Sequence, residues 1–221
     1  NNTERHGNMK KIIALIASLA LILALSSCKT KNDEEGTSAD EMGGADSTLS
    51  DTSKEEHPMV TISVKDFGDM VFELYPEYAP ETVRNFLDLA ESGFYKDLTF
   101  HRIYKGFMIQ GGSTDGMGMA GSDKTIKGEF AANGVDNPLS HERGVISMAR
   151  TSDPDSASSQ FFICDEDSTF LDGQYAAFGK LVEGYDVLDA IASVEVTANP
   201  YSGERSQPLV APVIENITVN K

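Results

Sequence analysis

Apolar and polar positions alternate with a period of two in two neighbouring stretches that begin at Met59 and end at Leu74. The apolar positions are Val60, Ile62 and Val64 in the first stretch and Met70, Phe72 and Leu74 in the second. A period of two points alternate side chains to opposite faces of a strand. With the turn Asp66-Phe67-Gly68-Asp69 between them, the two stretches predict a β-hairpin with one buried face.

Two other stretches show helical spacing. The first opens at Pro80, carries Val83, Phe86, Leu87 and Ala90, and stops at Gly93, while the second is short and covers Tyr185 to Ala192. Short apolar strands with glycine-rich turns are predicted from 99 to 181, and a last strand near 217–219. Strands and helices do not alternate regularly, which argues against a doubly wound parallel sheet. The pattern favours a mainly antiparallel closed barrel or sandwich with two helices.

The N-terminal region has the layout of an export signal. Met9 is followed by two lysines, an apolar run over 12–25, and Ser26-Ser27-Cys28. The run is too short for a transmembrane helix, which needs about 20 apolar residues. Leu25-Ser26-Ser27-Cys28 resembles the lipobox of bacterial lipoproteins, in which the cysteine is acylated and becomes the mature N-terminus. The alternative is an ordinary signal peptide with an incidental cysteine.

Charge and composition divide the chain into three predicted regions. Residues 1–27 form the predicted signal peptide, with 1–8 preceding the natural initiator Met9. Residues 28–57 contain the lipidated Cys28 and a polar tether with nine acidic residues against three lysines, too polar to fold. Residues 58–221 form the folded domain. The net charge of −17 argues against a nucleic-acid partner, because phosphate binding needs a basic face.

These features predict a protein of the bacterial cell envelope, lipid-anchored at the outer membrane or the periplasmic face. The stretch from Lys29 to Glu35 is interpreted as a solvated linker, with a surface-sorting signal as the alternative. Cys164 lies in the apolar run 161–164 and is predicted to be a buried, inert thiol.

Three segments of the folded region carry specific motifs. They read FHRIYKGFMIQGG over 100–112, GVISMAR over 144–150 and SSQFFI over 158–163, and Leu171-Asp172-Gly173 follows. Together these segments resemble the cyclophilin family of peptidyl-prolyl cis/trans isomerases. The resemblance implies an eight-stranded antiparallel closed barrel capped by two α-helices, and a domain expected to be monomeric. It also implies proline-containing polypeptide substrates, with no cofactor and no metal.

The resemblance assigns roles to individual residues. Arg102 matches the catalytic arginine, and Gln110 matches the residue that orients it and hydrogen-bonds the substrate backbone. The main chain at 149–150 matches the stretch that pairs with the peptide. The substrate-binding residues implied by the match are Phe107, Met108, Ala149, Arg150, Gln160, Phe162, Phe170, Leu171 and Tyr175. Isomerisation breaks no bond, so the reaction requires no nucleophile, base or metal.

Several residues near the motifs have simpler interpretations. His101 is expected to be structural, and His141 has no carboxylate or cysteine partner at ligand spacing and is assigned no role. Met117 and Met119 lie in a glycine-rich loop, where they serve either as adaptable substrate contacts or as loop packing.

The sequence also departs from the family pattern. Phe170 and Tyr175 stand where many eukaryotic members carry tryptophan and histidine, which removes an indole donor and predicts weaker binding of cyclosporin. Two other functions stay open at this point: a binding module that holds proline-containing segments without turnover, and a holdase chaperone.

Overall fold

The computed structural model describes residues 57–220. The predicted signal peptide, Cys28 and all but the last residue of the predicted tether lie outside this range. Of the predicted domain, 58–221, the structure describes every residue except Lys221. Within 57–220 no helix is both long and apolar enough to cross a membrane.

Eight strands form one antiparallel sheet. In chain order they are β1 (Met59–Val64), β2 (Gly68–Leu74), β3 (Arg102–Tyr104), β4 (Met108–Gly111), β5 (Val145–Met148), β6 (Phe161–Cys164), β7 (Ala177–Glu183) and, at the end of the chain, β10 (Ile214–Asn220). Their order across the sheet is β10-β1-β2-β7-β5-β6-β4-β3. The predicted hairpin is confirmed as β1–β2, in which Val60 lies opposite Phe72 and Ile62 opposite Met70.

The sheet curls into a barrel whose closure is only approximate. Its edge strands, β3 and β10, do not pair with each other. The segment just before β3 pairs instead with residues around the start of β10. Phe100 N–H donates to the carbonyl of Pro212 at 2.9 Å, and Ile214 N–H, in the first residue of β10, donates to that of Leu98 at 2.8 Å. Thr99 bridges to Val213 on one side and to Ser113 on the other. The predicted barrel is therefore present, with a short bridged segment in place of a full strand pair.

Helices α1 (Pro80–Glu91) and α2 (Tyr185–Ala192) are the two predicted helices. Proline at the first turn of α1 fits because its missing N–H has no helical partner there. The carboxylate of Glu129, distant in sequence and buried, accepts the N–H groups of Glu81 and Thr82 at 3.0 and 2.8 Å. A negative group at this end also complements the helix dipole.

The main core lies between the sheet and the helices. Phe86 of α1 contacts Tyr95, Phe161 and Phe178, with ring centroids 5.1–5.5 Å apart. All four side chains are almost completely buried, so aromatic packing fixes α1 on the sheet. This packing sets the position of β6, which begins at Phe161 and carries part of the site.

A separate hairpin, β8 (Val196–Ala198) and β9 (Arg205–Pro208), was not predicted. Its turn is closed by main-chain bonds from Asn199 N–H to the Glu204 carbonyl at 2.7 Å and from Gly203 N–H to the Asn199 carbonyl at 2.8 Å. The side-chain oxygen of Asn199 accepts two more N–H groups, those of Tyr201 and Ser202. Strand β9 packs against β3, which brings the turn close to Arg102.

Candidate active site

Strand register brings the first and third motifs together. In the β3–β4 pair Arg102 lies opposite Gln110, and in the β4–β6 pair Gln110 lies opposite Phe162. Ser147 of β5 lies opposite Phe162 from the other side. The sheet therefore places side chains from all three motifs next to one another.

The guanidinium of Arg102 is held by two side chains. Its Nε and Nη2 donate to the carboxylate of Glu204 at 2.7 and 2.9 Å, and its Nη1 donates to Gln110 Oε1 at 3.2 Å. Nη1 also lies 3.9 Å from the sulfur of Met108. The arginine side chain keeps 30% of its surface exposed, so a ligand can reach it.

Gln110 links this arginine to a second glutamine. While its Oε1 accepts from Arg102, its Nε2 donates to Gln160 Oε1 at 3.0 Å. Gln160 in turn donates to the carbonyls of Gly118 and Ala120, both at 3.1 Å. This chain fixes the amide orientation of Gln110 and connects the arginine to the glycine-rich loop.

Beside the guanidinium lies a second apolar cluster, distinct from the main core. Its buried members are Met108, Phe162, Cys164 and Leu171, and the partly buried side chains packed against them are Tyr104, Phe107, Ala149 and Tyr175. Phe107 also contacts Phe170, which is 49% exposed, with ring centroids 5.6 Å apart. The structure thus gathers the predicted apolar contact residues into one surface next to Arg102.

A buried polar chain supports the second apolar cluster from behind. His141 stacks on Phe162 with an interplanar angle of 15°, and its Nδ1 and Nε2 lie 2.8 Å from Asp172 and 3.0 Å from Ser147. An ionised carboxylate only accepts, so Nδ1–H donates to Asp172 and Nε2 accepts the hydroxyl of Ser147. Burial lowers the pKa of His141 although Asp172 opposes this.

This Asp–His–Ser arrangement resembles a hydrolase triad only in its residue types. Ser147 is completely buried, and no substrate can reach a hydroxyl that is sealed beneath Phe162. Both ring nitrogens of His141 are satisfied, so the chain holds Phe162 in place and does not perform acid–base chemistry.

Arg150 is immobilised at the other end of the second apolar cluster. Its guanidinium lies 4.7 Å from the ring centroid of Tyr175 and 5.0 Å from that of Phe130, an arrangement typical of cation–π contacts. It also donates to the carbonyls of Gln174 and Thr151. The neighbouring Ala149 donates its N–H to the Gln160 carbonyl at 2.9 Å. The side chain at 150 therefore positions Tyr175, a role that its sequence motif does not indicate.

Other residues singled out in the sequence lie around this centre. Burial, with a smaller contribution from the charge of Arg102, lowers the pKa of His101 to about 4, so this imidazole is neutral near pH 7. Burial raises the pKa of the Cys164 thiol to about 12, which agrees with an inert role. Met117 and Met119 are 51% and 78% exposed on the glycine-rich loop. Across 57–220, no group of three or more His, Cys, Asp or Glu side chains is arranged to hold a metal ion.

Three side chains contribute to the site or its support in ways that the sequence motifs do not indicate. Glu204 sits 102 residues from its partner arginine, in a short polar hairpin without a recognisable pattern. Asp172 and Ser147 reach His141 from 31 and 6 residues away. In the sequence, Asp172 lies within the LDG segment, Ser147 lies within the second motif, and His141 lies just before that motif. Nothing in these segments indicates that the three side chains contact one another.

Comparisons with known proteins agree with this geometry. A family model described as "Cyclophilin type peptidyl-prolyl cis-trans isomerase/CLD" matches residues 59–219. Peptidyl-prolyl cis-trans isomerase A of Dickeya dadantii is 43% identical over 161 residues, covering 70% of this chain and 80% of that protein. Peptidyl-prolyl cis-trans isomerase B of Escherichia coli is 40% identical over 164 residues, covering 70% of this chain and 95% of that protein.

A solved structure shows the same fold. The crystal structure of a Cryptosporidium parvum cyclophilin-type peptidyl-prolyl cis-trans isomerase in the presence of the dipeptide Ala-Pro superposes with a TM-score of 0.65 at 32% identity. The match covers 74% of this chain and 99% of that one. Sequence motifs, fold and relatives thus lead to one assignment: the chain belongs to the cyclophilin-type peptidyl-prolyl cis-trans isomerases, enzymes that act on proline-containing polypeptides and assist their folding.

Proposed function

We propose that this protein catalyses cis/trans isomerisation of X-Pro bonds in extracytoplasmic proteins, with Arg102 stabilising the twisted amide. The observation that carries this proposal is the position of the guanidinium beside the second apolar cluster. A proline ring packed on Phe107, Met108 and Phe162 brings its nitrogen within reach of an arginine that is already fixed in place.

Prolyl isomerisation requires only an apolar contact for the proline ring and a hydrogen-bond donor near its nitrogen. Rotation about an amide faces a barrier of about 18–20 kcal/mol because C–N resonance is lost. As the bond twists, the lone pair returns to the proline nitrogen, which then accepts a hydrogen bond from Arg102. A donor placed in advance stabilises the twisted state more than the planar one and lowers the barrier. No covalent intermediate forms.

Gln110 supports the same step through geometry. Its carbonyl oxygen holds Nη1 of Arg102, and its amide is locked by Gln160. Each amide nitrogen carries two N–H donors, and the Gln160 bond uses one of those on Gln110. The other is available to a carbonyl of the substrate backbone, which fixes the peptide while its prolyl bond turns.

The substrate class is supported by the relative that was solved in the presence of Ala-Pro. A short proline dipeptide is the minimal form of the ligand that the second apolar cluster and Arg102 fit. For this chain we infer binding of proline-containing segments of polypeptides, with the domain acting as a monomer.

A refolding assay tests the function directly. The purified protein is added to a model protein whose slow refolding phase is limited by prolyl isomerisation, a step of tens to hundreds of seconds when uncatalysed. The slow phase is expected to accelerate in proportion to the amount of enzyme. Suppressed aggregation with an unchanged slow phase would identify a holdase instead, and tight peptide binding without acceleration would identify a binding module.

The location is proposed from the segment outside the described residues. Met9-Lys10-Lys11, the apolar run over 12–25 and Leu25-Ser26-Ser27-Cys28 support export and a lipid anchor on Cys28. The acidic residues that follow suit a solvated tether that holds the isomerase away from the bilayer. We therefore place the enzyme in the bacterial cell envelope, at the outer membrane or the periplasmic face.

Cys28→Ser is expected to abolish labelling by a fatty-acid probe and to move the protein out of the membrane fraction, because serine offers no thiol for acylation. Cys164→Ser serves as the matched control, since the buried thiol is not expected to carry lipid. Unchanged acyl labelling and membrane fractionation in Cys28→Ser would show that the anchor assignment is wrong.

A further inference from the structure

The β8–β9 hairpin presents a carboxylate to the centre of the site. Glu204 is the last residue before β9, and its backbone carbonyl accepts the N–H of Asn199 at 2.7 Å. The turn is closed further by the side chain of Asn199, which accepts from Tyr201 and Ser202. The position of Glu204 is therefore set by the main chain of the hairpin.

The contact with Arg102 is bidentate. Both carboxylate oxygens are used, with Nε–Oε2 at 2.7 Å and Nη2–Oε1 at 2.9 Å. The side chains keep only 30% and 21% of their surfaces exposed. Paired, charge-assisted bonds of this kind are the strong and geometrically specific class of hydrogen bond.

The ion pair decides which N–H groups Arg102 can offer to a substrate. A guanidinium has five N–H donors in a fixed plane. Glu204 takes two of them along the Nε–Nη2 edge, and Gln110 takes one on Nη1. The two others lie on Nη1 and Nη2, and Nη1 also makes a contact of 3.9 Å with the sulfur of Met108 in the second apolar cluster, which is a weak acceptor.

We propose that Glu204 is a positioning residue for prolyl isomerisation, holding the far edge of the Arg102 guanidinium so that its free end faces the second apolar cluster. This inference rests on the proposed function. Arginine loses considerable rotamer freedom when it is fixed, and a donor displaced by about 1 Å loses much of its effect on a transition state. Without Glu204, the guanidinium keeps only the bond to Gln110 and the long contact with the sulfur of Met108.

The ion pair between Glu204 and Arg102 is expected to persist over a wide pH range. Burial would raise the pKa of its carboxyl group, but hydrogen bonding and the charge of Arg102 outweigh burial, with help from Ser206, and the pKa lies below its ordinary value. The carboxylate thus stays ionised. Its charge partly offsets that of Arg102, so the contribution of Glu204 is orientation of the donors and not added positive potential.

The experiment compares Glu204→Gln and Glu204→Asp with Glu195→Gln, a control at an exposed glutamate just before β8. Exchange NMR on a Pro peptide reports the rate of interconversion and the dissociation constant separately. Glu204→Gln is expected to slow interconversion about tenfold with less than a twofold change in peptide affinity. Glu204→Asp should fall in between, because it keeps the charge but reaches less far. The control should match the unmodified protein.

Two further measurements separate this role from a merely structural one. The Nε–H resonance of Arg102, protected by the carboxylate, should exchange faster with water in Glu204→Gln while the melting temperature changes little. In an Arg102→Ala background, Glu204→Gln should slow interconversion no further.

Normal or faster interconversion in both Glu204 variants, with Arg102→Ala impaired, would overturn this inference and leave the proposed function standing. If Arg102→Ala itself were fully active, the proposed mechanism would fail first. Should Glu204→Gln not fold, Glu204→Asp decides the question by the same measurements.

Discussion

Replacing Arg102 by alanine is expected to slow interconversion of a bound Pro peptide by about a hundred- to a thousandfold. The estimate takes the loss of one preorganised donor as about 3–4 kcal/mol of transition-state stabilisation. Peptide affinity should fall far less, because Phe107, Met108 and Phe162 still provide the apolar contact. Exchange NMR measures both quantities on the same sample.

Two companion variants sharpen this test. Arg102→Lys keeps the charge but cannot engage Glu204 through two nitrogens while also reaching Gln110, so it should remain badly impaired. Phe107→Ala should show the opposite balance, with affinity lost through apolar contact and the rate at saturation largely kept. Near-normal interconversion in Arg102→Ala would contradict the mechanism and favour a binding module.

Acidification is expected to destabilise the domain by about 3 kcal/mol between pH 7 and pH 4 through His101 alone. Burial, followed by the charge of Arg102, lowers the pKa of this residue from 6.5 to about 4 in the folded state. As the pH falls below about 6.5, His101 becomes protonated in the unfolded chain but stays neutral in the folded protein. The stability that neutral His101 contributes is therefore fully present above about pH 6.5 and is lost as the pH falls to about 4.

Urea unfolding at several pH values checks this expectation, with His101→Gln as the variant. The variant should lose the part of the slope that belongs to His101. His141 contributes in the same direction, since burial lowers its pKa as well. His57 acts in the opposite direction, because its hydrogen bond to Glu73 raises its pKa despite some burial. An unchanged slope in His101→Gln would show that this imidazole is not the source.

The sequence predicts the frame of the fold because burial imposes periodicity. Alternation in β1 and β2 and helical spacing in α1 are signatures of elements with one buried face. The β8–β9 hairpin has no such signature: its residues are largely exposed or half-buried, and Pro208 ends the second strand. The closure of the barrel through Thr99 could not be predicted either, since a single bridged residue produces no periodic pattern in the sequence.

The candidate site was predictable where the motifs are contiguous and not where it depends on distant partners. Arg102, Gln110 and Phe162 lie in contiguous segments whose sequence motifs are specific to the family. Nothing local marks Glu204 as the partner of Arg102, because an exposed polar turn usually carries acids for solubility alone. In the same way, the role of His141 depends on Asp172 and appears only when the chain folds back.

The pairing of β1 with β10 has a consequence for how the chain is made. Met59 lies opposite Asn220, so the first strand of the domain can pair with β10 only after the last residues of the chain have been synthesised. Until then one edge of the β1–β2 hairpin stays open, and open edges invite pairing with other chains. Contacts this distant in sequence also slow folding. A chain shortened by the length of β10 should therefore aggregate during synthesis rather than accumulate as a smaller barrel.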